Sequence, residues 1–161
     1  MKENAAPLAV PVTERRLPST LGRVRAWLLG LLALQLIFTF GDLLLLSHYE
    51  DAAQFDPLVL IAAALLHLGW HLARPSAGSV RVIQVLMCTF VLTGLLGVAL
   101  HVQGAAAFQR EIDPTQPTWT VLQKALRAQA PPALAPGLML QMGLLGLVYA
   151  YRHPAASFAD N

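Results

Sequence analysis

The sequence predicts an all-α fold, an integral membrane four-helix bundle, and three observations point to it. The 161-residue chain is 56% hydrophobic and only 12% charged, whereas soluble domains carry roughly a quarter charged residues. Its mean hydropathy is +0.56. The remaining charges cluster between four long apolar runs, which is the pattern of spans separated by loops.

Residues 1–20 contain Pro7, Pro11 and Pro18 and hold no sustained periodicity, so they predict a disordered cytoplasmic tail. Residues 21–154 form the transmembrane domain, and 155–161 a second short cytoplasmic tail. The first span is AWLLGLLALQLIFTFGDLLLLS, residues 26–47. At a rise of ~1.5 Å per residue it crosses a hydrocarbon core of ~30 Å. Its apolar core is longer than a secretory h-region and no small-x-small site follows, which predicts a retained span. The second, PLVLIAAALLHLGWHLA at 57–73, is near the lower length limit and carries two histidines. The third is VRVIQVLMCTFVLTGLLGVALHV at 80–102, and the fourth is ALAPGLMLQMGLLGLVYAY at 133–151. Pro136 falls in the first turn of the fourth, where its missing N–H costs nothing.

The basic residues set the expected orientation. Four spans place both termini on one side, with Lys2, Arg15, Arg16, Arg23, Arg25, Arg74, Arg81 and Arg152. The other side holds Arg110, Lys124 and Arg127 against Glu50, Asp51, Asp56, Glu111 and Asp113. Positive charge accumulates in the cytoplasm, so the N and C termini are expected there, in a bacterial inner membrane. Residues 74–79, RPSAGS, predict a tight cytoplasmic turn with Pro75 and Gly78 as breakers. Residues 48–56 predict a short acidic outer turn. Residues 103–132 form one long outer loop, in which Thr118 can cap a short amphipathic helix to about Ala128. Its apolar face is expected to be Trp119, Leu122, Ala125 and Leu126, lying in the headgroup region or over the bundle mouth.

Polar residues inside spans are costly unless partnered, so they mark the candidate positions. Gln35, Thr39, Asp42 and Tyr49 make one stripe on the first span. Gln84 and Cys88 share a face of the third, beside a stripe of Met87, Phe90, Gly94, Gly97 and His101. Gly143, Gly146 and Ala150 share a face of the fourth, where Gln141 is the intramembrane polar residue. The simplest expectation is helix–helix contact, with Gln35, Thr39, Gln84 and Gln141 in interhelical hydrogen bonds worth ~0.6 kcal/mol each. Trp27, Tyr49, Trp70, Tyr149 and Tyr151 sit near span ends, as interfacial aromatic residues do.

His67 and His71 are four residues apart and share a helix face. His48 and His101 lie at outer span ends, and His71 and His153 toward the inner side. As metal or b-type haem ligands, His48, His67, His71 and His101 are the candidates. Against them, His67 has no partner at matched depth in another span, and HLGWH lacks the glutamate of a zinc protease. The lone Cys88 excludes an intramolecular disulfide and paired-thiol chemistry. No phosphate-binding glycine loop, nucleophile elbow or paired carboxylate site is present.

The stretch PALAPGLMLQMGLLGLVYAYRHP, residues 132–154, resembles the C-terminal end of small uncharacterised bacterial four-span membrane proteins. The resemblance covers hydrophobic spans, implies the span count and implies no activity. The expected function is therefore a non-catalytic interaction or assembly component of a membrane complex. Its partners would be the lipid bilayer and either further copies of itself or a larger assembly, with no nucleic acid and no cofactor. The alternative is a proton- or cation-handling protein, or a metal- or haem-binding one, using Asp42 and the span histidines.

Overall fold

The computed structural model describes residues 20–45, 52–127 and 135–157. The two predicted tails up to residue 19 and beyond 157, together with His48, Tyr49, Glu50 and Asp51, lie outside the described residues. Within them the chain is entirely helical: α1 (Thr20–Leu45), α2 (Ala52–Ala73), α3 (Ala77–Ile112), α4 (Thr118–Leu126), α5 (Ala135–Ala150) and α6 (Pro154–Ser157). Three helices are long and apolar enough to cross a membrane, over Thr20–Leu45, Phe55–Ala73 and Ala77–Ile112. α5 has 16 residues and is equally apolar but shorter.

α1, α2 and α3 begin before the apolar windows that announced them, and α3 also ends beyond its own. α1 begins at Thr20 and carries Arg23 and Arg25 on its first turns. α2 begins at Ala52, leaving Pro57 inside it; so close to the helix start, one missing N–H removes little. α3 continues ten residues past the predicted end at Val102, reaching Ile112. Hydropathy falls along QGAAAFQREI, yet Ala105, Ala106, Ala107, Gln109, Arg110 and Glu111 are good helix formers. The helix stops at Asp113, whose backbone is extended at φ −148° and ψ 99°, because the following Pro114 disfavours helical geometry there. Asp113 then accepts bonds from the Thr115 N–H (3.0 Å) and hydroxyl (2.7 Å), closing a side-chain turn.

The predicted long loop is therefore mostly a helical hairpin. α4 folds back against α3 and buries Val121 and Ala125. Of the expected apolar face, Ala125 is buried, whereas Trp119 and Leu126 are 67% and 53% exposed. Pro117, not Thr118, occupies the cap position and makes no side-chain cap bond.

The RPSAGS turn is shorter than expected, covering residues 74–76 alone. Ser76 and Ser79 cap each other reciprocally: each backbone N–H is bonded by the other's side chain, at 3.1 and 2.9 Å. That capping box starts α3 at Ala77 and absorbs Gly78 into its first turn.

The core sits where α3 and α5 cross, with α1 and α2 against them. Leu32, Leu36, Ile61, Ile83, Met87, Phe90 and Met142 are essentially inaccessible. The two glycine faces meet backbone to backbone. A Cβ added at Gly94 would stand 2.6 Å from the Leu140 nitrogen, and one at Gly143 would stand 2.7 Å from the Met87 carbonyl oxygen. Gly146 faces the Met87 side chain and Gly97 the Pro136 ring. Such close approach maximises dispersion contact where no hydrophobic effect drives helices together.

Candidate functional site

The described arginines at one end of the bundle are Arg23 and Arg25 of α1, Arg74 after α2, Arg81 of α3 and Arg152 after α5. This arginine end also holds the one extended polar network inside the described bundle. His71 of α2 is 2% exposed and bonds with both ring nitrogens. Its Nδ1 lies 2.7 Å from the Ser79 hydroxyl of α3, and its Nε2 lies 2.8 Å from the Tyr149 hydroxyl of α5. One turn earlier, His67 donates through Nε2 to the Ser79 carbonyl at 2.9 Å.

Donor counting assigns the protons. The single hydrogen of the Ser79 hydroxyl is given to the Ser76 carbonyl at 2.8 Å. His71 must therefore donate from Nδ1 to Ser79, and with the ring held neutral by its burial, Nε2 accepts from the Tyr149 hydroxyl. His71 is a neutral imidazole in one tautomer, and every polar atom of the chain Ser76–Ser79–His71–Tyr149 is satisfied. No buried side-chain nitrogen or oxygen among the described residues lacks a partner.

His153 completes the cluster. It is 9% exposed, with its ring centroid 5.2 Å from both His71 and Tyr149. Its Nδ1 accepts from the Ala155 N–H at 3.3 Å, which places the proton of the neutral ring on Nε2. Burial first, then the neighbouring His71 and Arg25, hold its pKa below the ordinary histidine value. Arg25 reaches across from α1 and donates from Nη2 to the carbonyls of Tyr151 (3.3 Å) and Arg152 (2.8 Å), satisfying groups that the end of α5 leaves open. Arg152 adopts a left-handed conformation at φ 46°, the geometry that ends many helices and favours glycine.

The other candidates are scattered. Asp42 is exposed and stands near the far end of α1, some thirty residues of chain and the length of the bundle away from the histidine cluster. Gln35 is half-buried, Thr39 is buried at 5% exposed, and Gln84 and Gln141 face outward. Among the described residues none of these side chains makes an interhelical hydrogen bond. His101 is exposed at the far end, donating from Nδ1 to the carbonyl of Gly97 at 2.9 Å within its own helix. Tyr149, expected in an interfacial belt, is instead 4% exposed in the core.

Among the described residues no three His, Cys, Asp or Glu side chains are placed to hold a metal. Both ring nitrogens of His71 are engaged and Nε2 of His67 is committed to a carbonyl, while His101 stands at the far end of the bundle and His48 lies outside the described residues. Ser79 touches a histidine, as a nucleophile would, but it is 4% exposed. A hollow of about 580 Å³ lies at the opposite end, lined by Gln103, Ala106, Ala107, Arg110 and Glu111 on one side of α3.

Spacing pointed to His67 and His71 as a pair. The roles of Ser79, Tyr149 and His153 escaped sequence reasoning, although Ser76-x-x-Ser79 after Pro75 is a recognisable capping signal. No protein family, curated protein or solved structure matches the chain.

Proposed function

We propose that the protein is a non-catalytic, multi-pass component of a membrane assembly. In this reading α5 is a fourth crossing, and the arginine end with both termini faces the cytoplasm of a bacterial cell. The His71 network acts as a polar clasp holding α2, α3 and α5 together.

The observation that carries the reading is Gln141. It lies on the outward face of α5 beside Leu144 and Val148, which are 51% and 61% exposed. Nine residues separate it from the end of α5, about 13 Å of helix, so in a bilayer its amide stands within hydrocarbon. A primary amide there costs free energy unless a neighbouring helix bonds it. Gln is both donor and acceptor, so a second transmembrane helix satisfies it best, whether from another copy or another protein.

A photo-crosslinking residue at Leu144, in the full chain in native membranes, tests this directly. The expected result is a discrete adduct from position 144 that weakens in Gln141→Leu. A strictly monomeric protein on native gels, with no adduct from that face, would end the reading. The proton-handling alternative draws on the histidine cluster, but its carboxylate, Asp42, sits at the opposite end and the cluster's hydrogen bonds are already filled.

A further inference from the structure

Among the described residues, the charge of the arginine end is uncompensated. Among the described residues it carries Arg23, Arg25, Arg74, Arg81 and Arg152, while the carboxylates Asp42, Asp56, Glu111 and Asp113 all lie toward the other end. Among the described residues none of the five makes an ion pair. Two of them lie over aromatic rings. The guanidinium carbon of Arg74 lies 5.2 Å from the Trp70 ring centroid, and that of Arg152 lies 5.8 Å from the Tyr151 ring. A cation–π contact uses none of the guanidinium N–H donors as a conventional hydrogen bond, so they remain available to an oxyanion.

The hydrogen bonds also fix the depth of these rings. Arg25 reaches the carbonyls of residues 151 and 152, and His71 reaches Tyr149. Trp27, Trp70 and Tyr151 therefore stand within about a helical turn or two of one level, on three different helices. They are 74%, 55% and 66% exposed. Exposed tryptophan and tyrosine rings gathered at one level mark the membrane–water boundary, and the arginines stand at its aqueous edge.

The geometry points to a binding site for anionic phospholipid at this end, in which Arg74 on Trp70 and Arg152 on Tyr151 donate to the headgroup phosphate. The rings meet the glycerol and upper acyl region of the same lipid. A soluble phosphate would engage the arginines but leave the three rings in water, and a zwitterionic headgroup brings its own cation against five uncompensated charges. Both considerations favour a lipid of net negative charge. The inference rests on the reading of the chain as membrane-embedded.

The test uses the full chain in nanodiscs of phosphatidylcholine with or without phosphatidylglycerol, read by native mass spectrometry and thermal melting. Phosphatidylglycerol is expected to be retained over phosphatidylcholine and to raise the melting temperature. Arg74→Gln with Arg152→Gln should weaken retention about fivefold per arginine, and Trp70→Leu with Tyr151→Leu should weaken it while keeping the charge. Arg110→Gln with Arg127→Gln, at the other end, should change nothing. Equal retention of the two lipids by the wild type, or a preference that survives the Arg74/Arg152 change, would overturn the inference. So would inorganic phosphate reproducing the whole thermal shift in phosphatidylcholine alone. Should the double variant fail to fold, the wild-type preference must still fall with added salt, and a salt-independent preference overturns the inference equally. Release of the wild type by carbonate wash would sink the embedded reading itself, whereas carbonate resistance without lipid preference sinks only this site.

Discussion

The donor count at His71 makes the cluster sensitive to single atoms. Tyr149→Phe removes the proton that Nε2 accepts and leaves a buried acceptor empty, which costs about 1–3 kcal/mol; thermal or denaturant unfolding in detergent measures it. Ser79→Ala removes the partner of Nδ1 and half of the Ser76 capping box together, so it should cost more than Tyr149→Phe. His153 adds a pH dependence with a definite sign. Its folded pKa is lowered by burial and by the neighbouring His71 and Arg25. The groups facing it are Arg25 from α1, His71 from α2 and Tyr149 from α5, and none is a carboxylate. Below the unfolded value of about 6.5, the unfolded chain takes up the proton more readily. Stability is then full above that pH and declines as pH falls toward the folded pKa. Melting temperature should drop on acidification below about 6.5, and His153→Asn, which keeps an acceptor for the Ala155 N–H, should shrink the drop. Arg152→Gly should raise stability in lipid-free detergent by up to about 1 kcal/mol, because glycine adopts φ 46° without a Cβ penalty. At this scale the sequence exposed the His67/His71 pair through its i, i+4 spacing. Tyr149 was invisible, since a tyrosine near a span end reads alike whether it points to headgroups or to a buried histidine 78 residues away in the chain.

Between elements, the crossing of α3 and α5 is the contact most open to disruption. Gly94→Leu would drive a side chain into the α5 backbone at Leu140 and Pro136, and Gly143→Leu into α3 at Met87 and Val91. Each should cost more than the 1–3 kcal/mol of ordinary overpacking, because the obstructing atoms are backbone and neither helix has a rotamer to yield. Loss of the folded species in size-exclusion chromatography checks this, with Gly30→Leu, which meets open space, as the tolerated control. Both glycine stripes were readable from the sequence as small-residue faces, although which stripe met which was not. Helix existence was equally readable, but helix ends were not. Hydropathy locates hydrocarbon, whereas the ends of α1 and α3 are set by helix propensity, by the Ser76–Ser79 box and by the proline after Asp113. The face that α4 packs against α3, Val121 together with Ala125, was not among the sequence expectations. Trp119 and Leu126 are its larger apolar residues, yet only small Ala125 and Val121 allow α4 to lie close along α3.

For the whole molecule, the separation of charge between the two ends is the property most directly inherited from the sequence. In the proposed orientation a C-terminal green fluorescent protein should fluoresce and a C-terminal alkaline phosphatase should be inactive; the reverse pair of results would invert the topology. The helix lengths carry one more consequence. α3 is about 54 Å long and α5 about 24 Å by rise per residue, although the two are packed together through their glycine faces. The apolar part of α3, residues 80–102, is about 35 Å long by rise per residue, so a bilayer that suits it is too thick for α5 as a crossing. In the proposed arrangement, where α5 is a fourth crossing, the lipid beside α5 must thin or its headgroups must dip toward the helix end, while the polar end of α3 and α4 stand clear of the opposite leaflet. The protein is thus a source of hydrophobic mismatch on one flank only. A partner with an equally short span would share the thinned patch at no additional cost, so membrane thickness itself would draw such a partner to the α5 side.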